Sequence, residues 1–462
     1  MYFEQFYLGC LAHASYMLGS EGEAIVVDPQ RDVEIYIEGA KQHEVTIRHI
    51  FETHLHADFV SGHRELAART GARIYIGARA GAAFPHVDVT QGFELAMGKI
   101  RISALETPGH TPEGICLVIT DGEKSPEPWG VLTGDTLFIG DVGRPDLSPA
   151  HTPAELAGML YDSLHGKLLK LSDEVLVYPA HGAGSLCGKN MRAERSSTIG
   201  TERLTNYALQ IRSREEFIRQ LTTNLPARPD YFVKDAQINR EGALALGELP
   251  ELRPVSPREV QSLMRHGIAV LDVRPGDAFV AGHVPGSINI ALSGQFASWA
   301  GTILGLSSPL ILIGDTPEQV SEARMRLARV GIEDVRGYLQ GGVQRWKAAG
   351  LGVATLPQMS VQELDARIRG KGLHVLDVRR EPEWQAGHIE EAVWWPLDKF
   401  NLGLPPADKD VPLAVHCKSG YRSMIACSLL QGAGFNVINV SGGFDAWQQA
   451  KLPVASETPV AG

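Results

Sequence analysis

Apolar residues in this chain fall into short runs, and the length and flanks of each run predict its element. In the first half, EAIVVDP, HIFETHLH, ARIYIG, ICLVIT, GVLTGD and EVLVYPA read as short strands, each leading into a loop rich in His, Asp or Gly. From Lys189 to about Gly247 the pattern turns charged and helical, with NLPARPDYF as a proline-rich break. Further on, AVLDV and HVLDV read as strands. PLILIG and PLAVHC are apolar without alternation, the mark of strands covered on both faces of a parallel sheet. TPEQVSEARMRLARVG and YRSMIACSLLQGAG read as helices stopped by glycine.

The pattern also repeats. LDVRPGDAFVAGH (271–283) recurs as LDVRREPEWQAGH (376–388), an offset of 105, and LQGGVQRW (339–346) recurs as VSGGFDAW (440–447), an offset of 101. Two anchors at nearly one spacing show that the C-terminal region is a tandem pair of one unit of roughly 100 residues. LPELRPVSP and ATLPQMS set boundaries near 253 and 357, so three domains are expected, at 1–252, 253–357 and 358–462. Strands alternating with helices predict a small doubly wound α/β domain for each copy. The N-terminal region is expected to be a layered α/β fold with its chemistry on strand-end loops.

Composition narrows the function. A chain of 462 residues with 44% hydrophobic and 21% charged residues is globular and too long for one core. A net charge of −11 disfavours a nucleic-acid or anionic-membrane partner. Five cysteines without a C-x-x-C pair support neither a disulfide framework nor a cysteine zinc site. No basic-then-apolar leader and no membrane-length apolar run is present, so a soluble, reducing, cytoplasmic setting is expected.

The sharpest cluster is THLHAD, with His54, His56 and Asp58, followed by PGH ending at His110, GD ending at Asp135 and PAH ending at His181. Each lies just past a β-rich run, where a rigid strand would hold a metal ligand. The order resembles the metallo-β-lactamase superfamily signature, H-x-H-x-D-H followed by a distant His, Asp and His. The resemblance implies an αββα sandwich for the N-terminal domain. Phe59 stands where the binuclear hydrolases of that superfamily carry a His, which disfavours a two-metal site. THLHADFVSGH, TPGHTPE, TGDTLFIGDVGRPDL and YPAHG together resemble the persulfide dioxygenases. That resemblance implies one Fe(II) per chain on His54, His110 and Asp135, a 2-His-1-carboxylate triad, with His56, Asp58 and His181 arranged around it. It also implies oxidation of a small thiol persulfide by O2 to sulfite and thiol. Arg144, with Asp146 beside it, is the expected holder of a glutathione carboxylate. Ala183 stands where relatives often have Tyr, which leaves glutathione, coenzyme A and other thiols open.

HCKSGYRSM places Cys417 between a buried strand and a helix. Backbone N–H groups of Lys418, Ser419, Gly420 and Tyr421 in such a loop can point at the sulfur, and Arg422 adds a cation. With LDVR, AGH and GGFDAW the segment resembles the rhodaneses, which implies a persulfide on Cys417 exchanged with thiosulfate or sulfite. The first copy has Gly314 or Asp315 at the nucleophile position and no cysteine, so it is an inactive rhodanese-like domain. Asp272, Asp377, His283 and His388 recur in both copies and are expected to be structural; Cys427 is expected in the core. Two other readings stand beside this one: a glyoxalase II-like zinc thiolester hydrolase fused to a sulfurtransferase, and a non-enzymatic metal domain in a sulfur relay. Self-association is expected only by analogy with superfamily folds.

Overall fold

The computed structural model describes every residue except Asn224, Pro226, Lys371 and 457–462. Two residues of the expected proline-rich break, Asn224 and Pro226, thus lie outside the described residues. The chain divides into two compact units, Met1–Leu249 with Ala328–Gly331, and Pro250–Leu327 with Ile332–Gly462.

The first unit is built on two six-stranded sheets. One runs in the order Tyr2–Leu8, His13–Ser20, Glu23–Val27, Thr46–Glu52, Arg73–Gly77, Val87–Val89. The other runs Ser197–Thr198, Leu176–Pro179, Gly130–Gly134, Ile115–Asp121, Ile100–Glu106, Glu94–Met97. Tyr16, Ile25, Phe51, Ile102, Leu117 and Leu132 close the space between the sheets. Helices Glu34–Gln42 and His63–Thr70 bury Tyr36 and Leu66 with the first sheet's Val26 and Ile50. Helices Pro153–Gly166 and Arg214–Thr222 bury Leu160 and Phe217 with the second sheet's Val131 and Val177. This is the αββα sandwich the resemblance implied.

The expected strands all form. Tyr2–Leu8, His13–Ser20 and Ile100–Glu106 add to them and were not foreseen. His13–Ser20 is buried at seven of its eight positions, so it shows no alternation to reveal it.

The second unit holds two five-stranded sheets of identical order. In the first copy this is Pro254–Val255, Val335–Leu339, Leu310–Ile313, Ala269–Asp272, Ile288–Asn289. In the second it is Gln358–Met359, Val437–Val440, Leu413–His416, His374–Asp377, Ala392–Trp394. Every one of these pairings is parallel. Helices Pro317–Ala328 and Tyr421–Gly432 stop short of Gly331 and Gly434, whose φ values of 72° and 87° turn the chain.

The repeated landmarks belong to the scaffold. Asp272 and Asp377 each take the guanidinium of the arginine two residues on, Arg274 and Arg379. His283 stacks on Phe279 at 3.7 Å and His388 on Trp384 at 3.8 Å. The indole N–H groups of Trp346 and Trp447 donate to the carbonyls of Gly352 and Pro453, both at 2.7 Å.

Candidate metal centre and sulfur-transfer loop

Four strands of the sandwich deliver the expected cluster. His54 follows Thr46–Glu52, His110 follows Ile100–Glu106, Asp135 follows Gly130–Gly134 and His181 follows Leu176–Pro179. All six of His54, His56, Asp58, His110, Asp135 and His181 are buried.

Two imidazoles are turned for ligation. The Thr53 hydroxyl donates to Asp28 Oδ2 at 2.9 Å, so it accepts from His54 Nδ1 at 3.0 Å and leaves His54 Nε2 as a lone pair. His110 Nδ1 donates to the Arg144 carbonyl at 3.0 Å, which frees its Nε2 in the same way. These two Nε2 atoms lie 3.9 and 3.3 Å from Asp135 Oδ2. His110 Nε2 and both Asp135 carboxylate oxygens are buried without a hydrogen-bond partner. Burial holds both imidazoles below the usual histidine pKa, and the surrounding histidines push His54 further down. Two neutral imidazoles and one carboxylate, their ligand atoms within 4.8 Å of one another, fit a divalent cation.

His56, Asp58 and His181 form a second such group. Its members have other partners: His56 Nε2 lies 3.1 Å from Asp28 Oδ1 and 3.8 Å from Glu52 Oε2, and His181 Nε2 lies 3.4 Å from Asp58 Oδ2. Burial works against charge on His181, but Asp58 and Asp135 outweigh it and push its pKa up to about 9. Phe59 packs its ring on His13 and His56, with centroids 4.1 and 4.4 Å apart.

Several residues here were not singled out from sequence. Asp28 sits at φ 50° just past Glu23–Val27 and accepts both the N–H and the hydroxyl of Thr53. Its signal was the one used for the others, an acid ending an apolar strand. Glu113 accepts the Leu55 N–H, and Asn239 accepts from Ser61 and donates to the carbonyls of His56 and Phe59. The Cys187 thiol groups with Asp135 and His181. Arg144 directs its Nε and Nη2 to Asp146 at 2.7 and 2.9 Å and its Nη1 to the Leu186 carbonyl at 3.1 Å.

In the second unit Cys417 is buried after Leu413–His416, and the Gly420 N–H donates to its Sγ at 3.1 Å. Lys418 and Ser419 are exposed, and Lys418 lines a cleft of about 160 Å³ with Arg379, Glu383 and Gln448. Phe444 and Asp445 donate their N–H groups to the carbonyls of Cys417 and Lys418. Gly443 makes this approach feasible, since a Cβ there would lie 2.4 Å from the Cys417 carbonyl oxygen. Arg422 places its charge beside Cys417 and directs its two terminal nitrogens to Glu383 at 2.6 and 2.7 Å. Tyr421 turns its hydroxyl to the carbonyl of Ala291, at 2.9 Å. Cys427 is buried in the core as expected. Among the described residues no helix is long and apolar enough to cross a membrane.

Residues 8–181 match the metallo-beta-lactamase superfamily, and 256–349 and 360–450 match the rhodanese-like domain. A crystal structure of a metallo-beta-lactamase from Staphylococcus aureus subsp. aureus COL is 34% identical, with a TM-score of 0.66 over 73% of this chain and 98% of that one. The chain belongs to the metallo-beta-lactamase superfamily. Within this superfamily its homologues include the mitochondrial persulfide dioxygenase ETHE1 of Mus musculus, 29% identical over 220 residues, 46% of this chain and 77% of that protein. The hydroxyacylglutathione hydrolase of Polaromonas sp. is 32% identical over 163 residues, 35% of this chain and 57% of its own length. Two rhodanese-like domains follow the superfamily domain.

Two outcomes test this geometry. A Cβ at Gly143 would lie 2.0 Å from the Asp135 carbonyl oxygen and 2.9 Å from His110 Nδ1. Gly143→Ala is therefore expected to destabilise by about 1–3 kcal/mol in urea unfolding and to lower metal content per chain. The second outcome concerns the metal-stripped protein. His181 has a folded pKa of about 9 against an ordinary 6.5, so its stabilising contribution is complete below pH 6.5 and is lost as pH rises through 9. The melting temperature of the stripped chain should fall across that window, and His181→Gln should make the fall shallower.

Proposed function

We propose that the N-terminal domain oxidises a small thiol persulfide, and that the C-terminal rhodanese domain moves sulfane sulfur on Cys417. The oxidation balances as RSSH + O2 + H2O → RSH + SO3²⁻ + 2 H⁺, four electrons passing from the sulfane sulfur to O2. The observation that carries this reading is the pair of Nε2-forward, neutral imidazoles of His54 and His110 facing a hydrogen-bond-free Asp135. The donor set fits Fe(II), which supplies the redox chemistry that a spin-paired sulfur and triplet O2 lack between themselves.

The remaining roles belong to the chain. Thr53 and the Arg144 carbonyl fix the two imidazole planes, and Asp28 anchors Thr53 in turn. His181, whose Nε2 lies 3.4 Å from Asp58 Oδ2 beside the ligand set, is placed to hydrogen-bond the bound persulfide. Asp58 is its partner, and His56 braces the loop through Asp28. The buried walls keep bulk water from a reactive persulfide. On the rhodanese side, Cys417 thiolate takes the outer sulfur of thiosulfate and releases sulfite, and the bound persulfide returns that sulfur to sulfite in the reverse step. Sulfite made by the first unit is thus an acceptor for the second. Glutathione persulfide is the substrate to try first, with the coenzyme A persulfide as comparison.

The hydroxyacylglutathione hydrolase homologue favours one second reading, zinc-dependent thioester hydrolysis. One experiment separates them: O2 uptake and sulfite release by anaerobically iron-loaded protein given glutathione persulfide. Equal O2 uptake and sulfite formation is expected, lost in Asp135→Ala and kept in Cys417→Ser, while only Cys417→Ser loses sulfite release from thiosulfate to a thiol acceptor. No uptake, with thioester cleavage by the zinc-loaded protein, would return the domain to the hydrolases.

A further inference from the structure

The helix Tyr421–Gly432 starts in the Cys417 loop. Tyr421, Met424, Ser428 and Gln431 are spaced at three and four residues and share one helical face. That whole face is taken up by the inactive rhodanese-like copy in the same compact unit. The Tyr421 hydroxyl donates to the Ala291 carbonyl at 2.9 Å. A Cβ at Gly294 would stand 3.5 Å from the Tyr421 ring, and one at Gly276 would stand 3.4 Å from Met424. The Asn289 N–H donates to Ser428 Oγ at 3.0 Å. Gln431 Oε1 lies 2.9 Å from His283 Nε2, and its amide donates to the Thr355 carbonyl at 2.9 Å.

The first contact in this row reaches the sulfur in two steps. Tyr421 adjoins Gly420, and the Gly420 N–H is the loop donor on Cys417 Sγ. A backbone donor stabilises a sulfur anion only while its peptide plane is held, because the gain depends on donor direction. Ala291 follows the edge strand Ile288–Asn289 of a sheet with its own core, so its carbonyl is a fixed point. The copies differ where they meet: Gly276 stands where the second copy has Glu381.

We propose that Tyr421 is a positioning residue of the sulfur-transfer site, and that the inactive rhodanese-like domain supplies the fixed carbonyl, at Ala291, that holds the Cys417 loop in its donor geometry. This rests on the reading of Cys417 as the sulfur carrier. The charged groups around the loop are its own Lys418 and Arg422, Glu383 paired with Arg422, Asp377, Arg379 and His416 at the strand ends, Asp445 on the facing helix and Arg326 of the first copy beside Tyr421. Tyr421→Phe alters none of them, so any change in thiol reactivity reports geometry alone.

The test uses the full chain and reads the rate of Cys417 alkylation by iodoacetamide against pH, by peptide mass spectrometry, with kcat and KM for sulfite release from thiosulfate to a thiol acceptor. Tyr421→Phe is expected to raise the alkylation midpoint by about half a pH unit or more. It should lower kcat at least about threefold while KM for thiosulfate stays within about twofold. Ser428→Ala, two turns along the same face, should shift the midpoint in the same direction by less. Unchanged alkylation profiles in both variants would overturn the positioning role, as would a loss confined to KM. A shifted profile in a chain that never transfers sulfur from thiosulfate would overturn the carrier reading and leave the positioning role standing.

Discussion

The first unit depends on keeping one polar loop, residues 53–61, buried throughout. A buried backbone donor without a partner costs about 1–3 kcal/mol, so the loop exists only where every such group is met. Four distant segments contribute partners, among them the Arg329 carbonyl, which takes the Val60 N–H at 2.7 Å. Asp28, from the end of Glu23–Val27, takes the Thr53 N–H; Glu113, ahead of Ile115–Asp121, takes that of Leu55; Asn239, from helix Tyr231–Glu241, takes that of Ser61 and caps two carbonyls. The αββα stack brings these segments to one end of the sandwich. His54 then projects from a loop that cannot relax to satisfy it, and a cation held with His110 and Asp135 would supply what hydrogen bonds leave open.

Much of this was legible in the sequence, because strand ends show as apolar runs and ligands as His and Asp just past them. THLHAD, PGH, GD and PAH all reach the centre they were expected to build. What stayed hidden is partnership. Which partner a guanidinium takes depends on a few ångströms of tertiary geometry: for Arg144 it is Asp146, two residues away. Arg422 takes Glu383, 39 residues earlier, a partner that no local motif announces. Asn239 carries no motif at all; only the return of the helical tail to the 56–61 loop gives it a role. The N-terminal strands escaped for another reason: His13–Ser20 is buried on both faces, and its AHASYMLGS composition gives neither alternation nor a β-branched run.

The tandem rhodanese-like unit shows which features belong to the scaffold and which to chemistry. The Asp–Arg pair, the His stacked on an aromatic ring and the Trp N–H bond recur at matching positions in both copies, so they hold the fold. Cys417, the Arg422–Glu383 pair and the Gly420 donor occur only in the second copy. Where Glu383 stands in the second copy, the first has Ala278.

The inactive copy has lost more than a thiol. Its loop carries Asp315, half-exposed and 3.9 Å from Arg274, whose charge is already committed to Asp272. The local balance there is negative, and a dianion such as thiosulfate or sulfite is repelled by it. The second copy presents exposed Lys418 at the corresponding rim. The acidic loop follows Leu310–Ile313, whereas Asn289, Ala291 and Gly294, at and beyond the edge strand two places away, meet the Tyr421–Gly432 helix of the second copy. The chemistry of the Asp315 loop and the contact with the second copy's helix are thus separable in this fold, because they lie on different loops of one sheet.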